Sequence, residues 1–182
     1  MDWADFRVHD KKWIRSEQTR KEKPRCDEGI GVFLMKALIV YDSVYGNTEK
    51  IARAIGGAII GEVKVLRAGE VNPSELESID LLIVGSPTQG GRPTPAIQGF
   101  LDRVSELIRG INVAAFDTRF STRWVGIFGY AAGRIAGKLK GKGGTLIASP
   151  EAFFVKGKEG PLKEGELERA ASWTTVTLGN KT

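Results

Sequence analysis

From Met35 onward, short apolar runs alternate with amphipathic segments, and this alternation constrains the fold more than any other feature. Five runs have the length and composition of strands buried on both faces: 36–41, 62–66, 79–84, 111–116 and 144–148. Between them, apolar side chains at helical spacing predict helices over 51–59, 97–108, 131–139 and 166–174, with a short one opening at 72–74. The pattern predicts an α/β fold: a doubly wound, five-stranded parallel sheet in a three-layer α/β/α arrangement.

The first 34 residues lack this pattern. They contain scattered aromatic side chains and a charged stretch over 15–28, with neither strand nor helix periodicity. We expect residues 1–34 to form an N-terminal extension that is partly disordered, followed by one domain over 35–182. An arm that docks a partner is the alternative interpretation.

Composition removes most catalytic chemistries from the domain. His9 is the only histidine and Cys26 the only cysteine, so residues 35–182 contain neither an imidazole nor a thiol. This excludes a Ser-His-Asp triad, a Cys-His pair and a Cys/His zinc or haem site there. We therefore predict no metal and assign no catalytic residue, and expect any chemistry to come from a bound cofactor or from a few Asp, Arg, Tyr and Thr side chains.

Net charge and hydropathy limit the kinds of partner and the cellular location that we expect for the chain. The chain carries a net charge of +5, of which the domain over 35–182 holds +4, too little to indicate nucleic-acid binding. No apolar run approaches the roughly 18 residues of a membrane span, and no secretory signal pattern is visible. A single cysteine is typical of a reducing compartment, so the expected location is cytoplasmic.

The loop after the first predicted strand has the chemistry of an anion site. Its residues are Ser43, Val44, Tyr45, Gly46, Asn47 and Thr48. The hydroxyls can donate hydrogen bonds, Gly46 permits close backbone approach, and Asn47 or Thr48 is expected to cap a helix whose N-terminus favours negative charge. The loop contains neither G-K-[ST] nor G-x-G-x-x-G, so it predicts a mononucleotide phosphate rather than a P-loop or dinucleotide site. An ordinary capped turn is the alternative.

Two further loops follow the third and fourth predicted strands. The second contains Ser86, Pro87, Thr88, Gln89, Gly90 and Gly91 before Arg92-Pro93, and could lay backbone groups against a planar ring. The third contains Thr118, Arg119 and Phe120, followed by Thr122, Arg123 and Trp124. Phe120 and Trp124 could cover a ring, with packing into the core as the alternative.

Taken together, these loops resemble the flavodoxin family. The segment Y-D-S-V-Y-G-N-T-E and the S-P-T-Q-G-G loop about forty residues later carry the resemblance, which extends from Met35 to about Trp173. It implies strand order 2-1-3-4-5 and a non-covalent FMN, with its phosphate at residues 43–48 and its ring between 86–91 and 118–120. The implied function is electron transfer with a redox partner protein, the flavin supplying the redox chemistry.

Departures from the family pattern leave alternatives open. The Tyr45-Gly46 pair is more similar to the quinone-reductase branch of the fold, which favours an FMN-dependent NAD(P)H:quinone-type oxidoreductase. A flavin-free interaction module is a third possibility. A phospho-relay receiver needs Asp and Lys at the ends of strands three and five, where Gly85-Ser86 and Ser149-Pro150 are expected instead.

The domain is also basic, whereas carriers of this family tend to be acidic. Seven cations are expected on or near the loops that ring the site: Arg92, Arg119, Arg123, Arg134, Lys138, Lys140 and Lys142. They favour an acidic partner or a less reducing flavin, with a solvated face as the plainer interpretation.

Overall fold

The computed structural model describes residues 34–104, 107–121 and 130–179. Its strands and helices alternate along the chain. They are β1 (Met35–Tyr41), α1 (Asn47–Gly57), β2 (Gly61–Arg67), a short 3₁₀ helix (Pro73–Leu76), β3 (Leu81–Pro87), α2 (Pro95–Arg103), β4 (Asn112–Phe120), α3 (Ala131–Gly141), β5 (Thr145–Leu146), β6 (Glu151–Val155) and α4 (Glu166–Gly179).

The strands form one parallel sheet in the order β2-β1-β3-β4-β5, with β6 also paired to β4. This confirms the predicted fold class and strand order. In register, Ile39 of β1 lies between Val65 of β2 and Ile83 of β3. Because all strands run the same way, their carboxyl ends meet along one edge of the sheet, where ligands bind in such folds.

Alternating side chains of the central strands build one apolar core on each face of the sheet. On one face, Leu38 and Val84 pack with Phe100 of α2 and Ile135 of α3. On the other, the core cluster joins buried side chains of β1, β3 and β4 to α1 and α4: Ile39, Ile83, Phe116, Ile51 and Ala170. The two cores account for the three layers and hold the sheet edge rigidly in place.

The fifth position of the sheet is divided between two segments. β5 pairs only with Asn112 and Val113 of β4, whereas β6 pairs with the later residues from Phe116 to Phe120. Pro150 lies in the break and cannot donate a backbone hydrogen bond, which interrupts the ladder. The prediction that the fifth strand ends at Ser149-Pro150 is therefore wrong; this edge ends at Val155, and Lys156 follows. The aspartate that a phospho-relay receiver needs at the end of its third strand is absent from β3, which ends with Gly85, Ser86 and Pro87.

Two strands also run further than predicted. β3 includes Ser86 and Pro87, and β4 continues through Asp117 to Phe120, so the third predicted loop is the end of a strand. α2 ends at Arg103, so the predicted helix over 97–108 is too long. Among the described residues, no helix combines the length and apolar character needed to cross a bilayer.

Candidate functional site

A cleft of about 400 Å³ opens at the carboxyl edge of the sheet. Three predicted segments meet there. Ten predicted site residues line it: Ser43, Val44, Tyr45, Asn47, Thr48, Pro87, Thr88, Gln89, Thr118 and Phe120. Val155 and Lys158 complete the lining and were not predicted. The volume is within the range of pockets that bind small organic ligands, about 300–1,000 Å³.

The first segment leads into the N-terminus of α1. Gly46 is the N-cap, in a left-handed conformation (φ 80°), with open space where a Cβ would lie. The expectation that Asn47 or Thr48 caps the helix is therefore wrong, because both lie within its first turn and neither makes a side-chain cap. The buried Ser43 Oγ has no hydrogen-bond partner among the described residues. This end of the cleft thus offers helix amides and an unused hydroxyl.

The two polar side chains of the first turn of α1 are bonded to other parts of the cleft wall. Asn47 Nδ2 donates to the carbonyl oxygen of Glu159 at 3.0 Å. Thr48 Oγ1 lies 2.8 Å from Thr118 Oγ1 of β4, and either hydroxyl can donate. When Thr118 donates, the Thr48 proton remains available to another acceptor.

The second segment turns back on itself after β3. Gln89 and Arg92 exchange two backbone hydrogen bonds of 2.9 and 3.0 Å around Gly90 and Gly91, whose φ values are 54° and 75°. Positive φ at both central residues is the geometry of a tight type I′ turn, for which glycine is favoured. The two glycines shape this turn and do not line the cleft, whereas Gln89 does.

Thr88 and Ser86 link this segment to the two helices on the other side of the sheet. Thr88 Oγ1 accepts a 3.1 Å hydrogen bond from the amide of Ala131 at the start of α3. Ser86 Oγ accepts a 3.0 Å hydrogen bond from the amide of Thr94, the N-cap of α2. Ser86 is fully buried and does not line the cleft, so its role in the described structure is to hold the segment.

The third segment is strand rather than loop, and strand alternation divides its side chains. Thr118 and Phe120 line the cleft, and Phe120 is 41% exposed. Arg119 does not line it; its guanidinium lies 3.5 Å from Asp117 Oδ2 and 3.3 Å from the centre of the Tyr130 ring. Thr122, Arg123 and Trp124 lie outside the described residues.

Asp117 is a fully buried carboxyl behind the cleft. Its Oδ2 accepts a 2.9 Å hydrogen bond from the amide of Ala132 in the first turn of α3, while its Oδ1 has no partner among the described residues. Burial raises the pKa of Asp117, and the Ala132 amide and the Arg119 guanidinium oppose that rise. The first turn of α3 is thereby anchored to the strand that carries Thr118 and Phe120.

We expect Asp117→Asn to change the pH dependence of stability. Unfolded chains ionise Asp117 near its ordinary value of 3.8, whereas the folded state holds the proton to higher pH. The folded state therefore binds more protons in the window above 3.8, and wild-type stability falls through this window as pH rises. The free energy of unfolding of the wild type minus that of the variant should decline across this window, as measured by urea unfolding at several pH values.

Asp102→Asn serves as the control with the opposite sign. Lys138 Nζ lies 2.8 Å from Asp102 Oδ1, and this hydrogen bond lowers the pKa of Asp102. The free energy of unfolding of the wild type minus that of Asp102→Asn should therefore rise with pH, between the lowered pKa and 3.8. A rising difference for Asp117→Asn would contradict the assignment of a proton to that buried carboxyl.

Several of the predicted cations lie on or beside the second and third segments, with Arg134 Nε donating to Gly91 O at 2.9 Å. Of the seven predicted basic residues, Arg123 lies outside the described residues and none of the other six lines the cleft. Arg92, Arg134 and Lys138 instead line a separate groove of about 440 Å³ between the second segment and α3. Within the described ranges, the cation that lines the cleft is Lys158, which follows β6. The apolar run 152–155 is the sequence signal that could have located β6, and with it Lys158.

The cleft therefore offers hydroxyls, amides, one cation and two partly exposed aromatic side chains. Tyr45 is 45% exposed and Phe120 is 41% exposed. Within the ranges that the structure describes, no three His, Cys, Asp or Glu side chains are placed to hold a metal ion. Such a set is suited to binding a phosphate and a planar ring.

Sequence comparison identifies relatives of the chain. A family model described as Flavodoxin matches residues 39–173. The chain is 30% identical over 121 residues to a flavodoxin of Clostridium beijerinckii, a match covering 62% of this chain and 81% of that protein. It is 37% identical over 73 residues to an uncharacterised protein of Methanocaldococcus jannaschii, covering 40% of this chain and 47% of that one. The chain thus matches about half the length of this second relative.

Solved structures show the same fold. A flavodoxin from the domain Archaea superposes with a TM-score of 0.65 at 24% identity, covering 80% of this chain and 98% of that one. Oxidised flavodoxin 1 from Bacillus cereus superposes with a TM-score of 0.67 at 21% identity, covering 81% of this chain and 99% of that one. The rubredoxin oxygen:oxidoreductase of Desulfovibrio gigas gives 0.63 at 25% identity, but only 36% of that longer chain is covered.

Proposed function

Because the chain belongs to the flavodoxin family, whose members bind FMN, we propose that it is an electron-transfer protein carrying FMN in the cleft at the carboxyl edge of its sheet. The observation that carries the proposal is the meeting of three separate segments at one cleft, with the N-terminus of α1 at one end. When bound, FMN supplies the redox chemistry, and the protein supplies binding, orientation and exclusion of water.

The phosphate end fits the monoester of FMN. The buried Ser43 hydroxyl has no partner among the described residues, and Gly46, the N-cap of α1, has no side chain that could block the approach to the helix amides. Helix N-termini favour anions through unpaired N–H groups and the helix dipole. Ser43, Thr48 and the amides of residues 46–48 would therefore hold the phosphate.

The ring end is formed by polar backbone and two aromatic side chains. Thr88 and Gln89 line the cleft from the second segment, and Tyr45 and Phe120 line it from the first and third. We propose that the ring lies among these four residues, with backbone groups of residues 87–89 at its polar edge. The remaining predicted residues, Ser86, Gly90, Gly91 and Arg119, would shape this end without lining it.

The site leaves an exposed apolar surface for a redox partner. Val44, Tyr45 and Phe120 are 54%, 45% and 41% exposed around the cleft. Electron transfer requires close approach to the flavin rather than a substrate pocket, and a partner contacting this surface would make that approach. We propose that the partner is acidic where it faces the exposed Lys156, and that the chain acts in the cytoplasm, as its single cysteine suggests.

A visible spectrum of the purified protein, followed by titration of the apoprotein with FMN, tests the proposal. We expect the absorption bands of oxidised flavin, release of FMN on denaturation, and saturable quenching of FMN fluorescence at micromolar protein. Adding NAD(P)H without a partner reductase should leave the flavin oxidised, because a carrier does not take hydride itself. Rapid bleaching would indicate the reductase instead, and the absence of any flavin binding would favour an interaction module.

A further inference from the structure

A turn over residues 156–163 follows β6 beside the cleft and is bonded at both ends. Lys156 N donates to Pro161 O and Lys163 N donates to Phe154 O, each at 2.8 Å. A further bond of 3.1 Å joins Gly160 N to Gly157 O inside the turn. The turn therefore has a defined path in which Lys158 lines the cleft.

This turn is packed directly against the start of α1. Asn47, the first residue of the helix, donates from Nδ2 to Glu159 O at 3.0 Å. At Gly160, a Cβ would lie 2.6 Å from the same Nδ2, and its φ of 109° also favours glycine. Lys158 thus belongs to a segment that contacts the helix end to which an anion would bind.

Two arginines near the start of α1 are already paired with a carboxylate. Glu49 in the first turn is bonded by Arg53 and Arg67, each at 2.9 Å, so both guanidiniums are committed to a carboxylate. Among the twelve described residues that line the cleft, Lys158 alone is charged. It forms no ion pair with any other described side chain. The hydrogen bond from Asn47 to Glu159, the residue after Lys158, places this part of the turn beside the phosphate end of the cleft.

We propose that Lys158 is a specificity-determining residue, the cation that selects a ligand with a phosphate dianion. The inference rests on the proposed function, because it names the residue through which the same site distinguishes FMN from riboflavin. An ammonium on a flexible stem adds charge attraction to the hydroxyls and amides of residues 43–48, which are themselves uncharged. Riboflavin offers the same ring without the phosphate and gains nothing from this contact.

Titration of apoprotein with FMN and with riboflavin, by fluorescence quenching, tests the inference in Lys158→Gln. We expect FMN affinity to fall by about three- to tenfold at low salt, the range of a partly exposed charge contact, while riboflavin affinity stays unchanged. The fall should shrink as salt rises, because screening already weakens the wild-type contact. Lys156→Gln, in the same turn but outside the cleft lining, is the matched control and should leave both affinities unchanged.

The outcomes separate the two claims. If wild type binds FMN but Lys158→Gln binds it equally well, or loses FMN and riboflavin affinity by the same factor, the inference is wrong while the proposed function stands. If Lys156→Gln weakens FMN as much as Lys158→Gln does, general surface charge explains the effect and the inference is also wrong. If wild type binds neither flavin, the proposed function fails, and the inference fails with it.

Discussion

Gly85→Ala is expected to lower the free energy of unfolding by about 3 kcal/mol or more, measured by chemical denaturation. Gly85 lies in β3, and a Cβ there would be 2.1 Å from Cζ of Phe116, on the neighbouring strand β4. The Phe116 ring cannot easily withdraw, since it is fully buried and packs edge-on against Phe153 at 5.8 Å between ring centres. The added methyl group must therefore displace either the ring or the strands.

Two variants make this expectation specific. Gly99→Ala adds the same methyl group in α2, where nothing lies within 4 Å of the new atom, and should stabilise the protein by about 0.5–1 kcal/mol through helix propensity. Adding Phe116→Leu to Gly85→Ala should recover part of the loss, because the clashing ring atoms are removed. Wild-type stability in Gly85→Ala would show that the Phe116 ring does not lie against β3.

Thr48→Val is expected to weaken FMN binding by about tenfold to a hundredfold, the range of one lost hydrogen bond to a charged group. Valine keeps the shape of threonine and removes the hydroxyl that we assign to the phosphate. Thr48 is buried in the first turn of α1, so little else at the surface changes. Fluorescence titration with FMN measures the effect, and riboflavin should bind the variant as it binds wild type.

Thr118→Val separates phosphate binding from the internal hydroxyl pair. It removes the same 2.8 Å contact from the β4 side and leaves the Thr48 hydroxyl in place. We expect a loss of FMN affinity of about two- to tenfold, the range of one neutral hydrogen bond, and smaller than the loss in Thr48→Val. Equal losses in the two variants would mean that the pair, rather than a contact from Thr48 to phosphate, determines affinity.

The central strands could be predicted because their sequences are mostly apolar. Within the predicted runs over 36–41 and 79–84, residues 37–41 and 81–84 are buried, and a covered parallel strand is the element that accommodates such runs between amphipathic helices. The first segment of the site could be located for a similar reason, since a polar loop between a buried strand and a helix must lie at the ligand-binding edge. The strand order itself followed from the family resemblance.

The remaining features depend on pairing that local composition does not reveal. The end of β4 is polar, so the run D-T-R reads as a loop, although pairing with β3 and β6 keeps it extended. That misassignment hid the alternation that turns Arg119 away from the cleft and Thr118 towards it. Pro150 similarly obscured β6, and with it Lys158. Propensity predicts Asn47 or Thr48 as the cap of α1, whereas tertiary contacts with Glu159 and Thr118 use these side chains instead.

Two-dimensional amide NMR during FMN titration tests the location of the flavin most directly. We expect saturable chemical-shift changes concentrated at the amides of residues 43–48, 88–89 and 118–120 and of Lys158, with the changes at residues 43–48 absent when riboflavin replaces FMN. The amides of Arg92, Arg134 and Lys138 in the separate groove should change little. Shifts centred on that groove, or no saturable shifts at all, would contradict the assignment of the cleft as the FMN site.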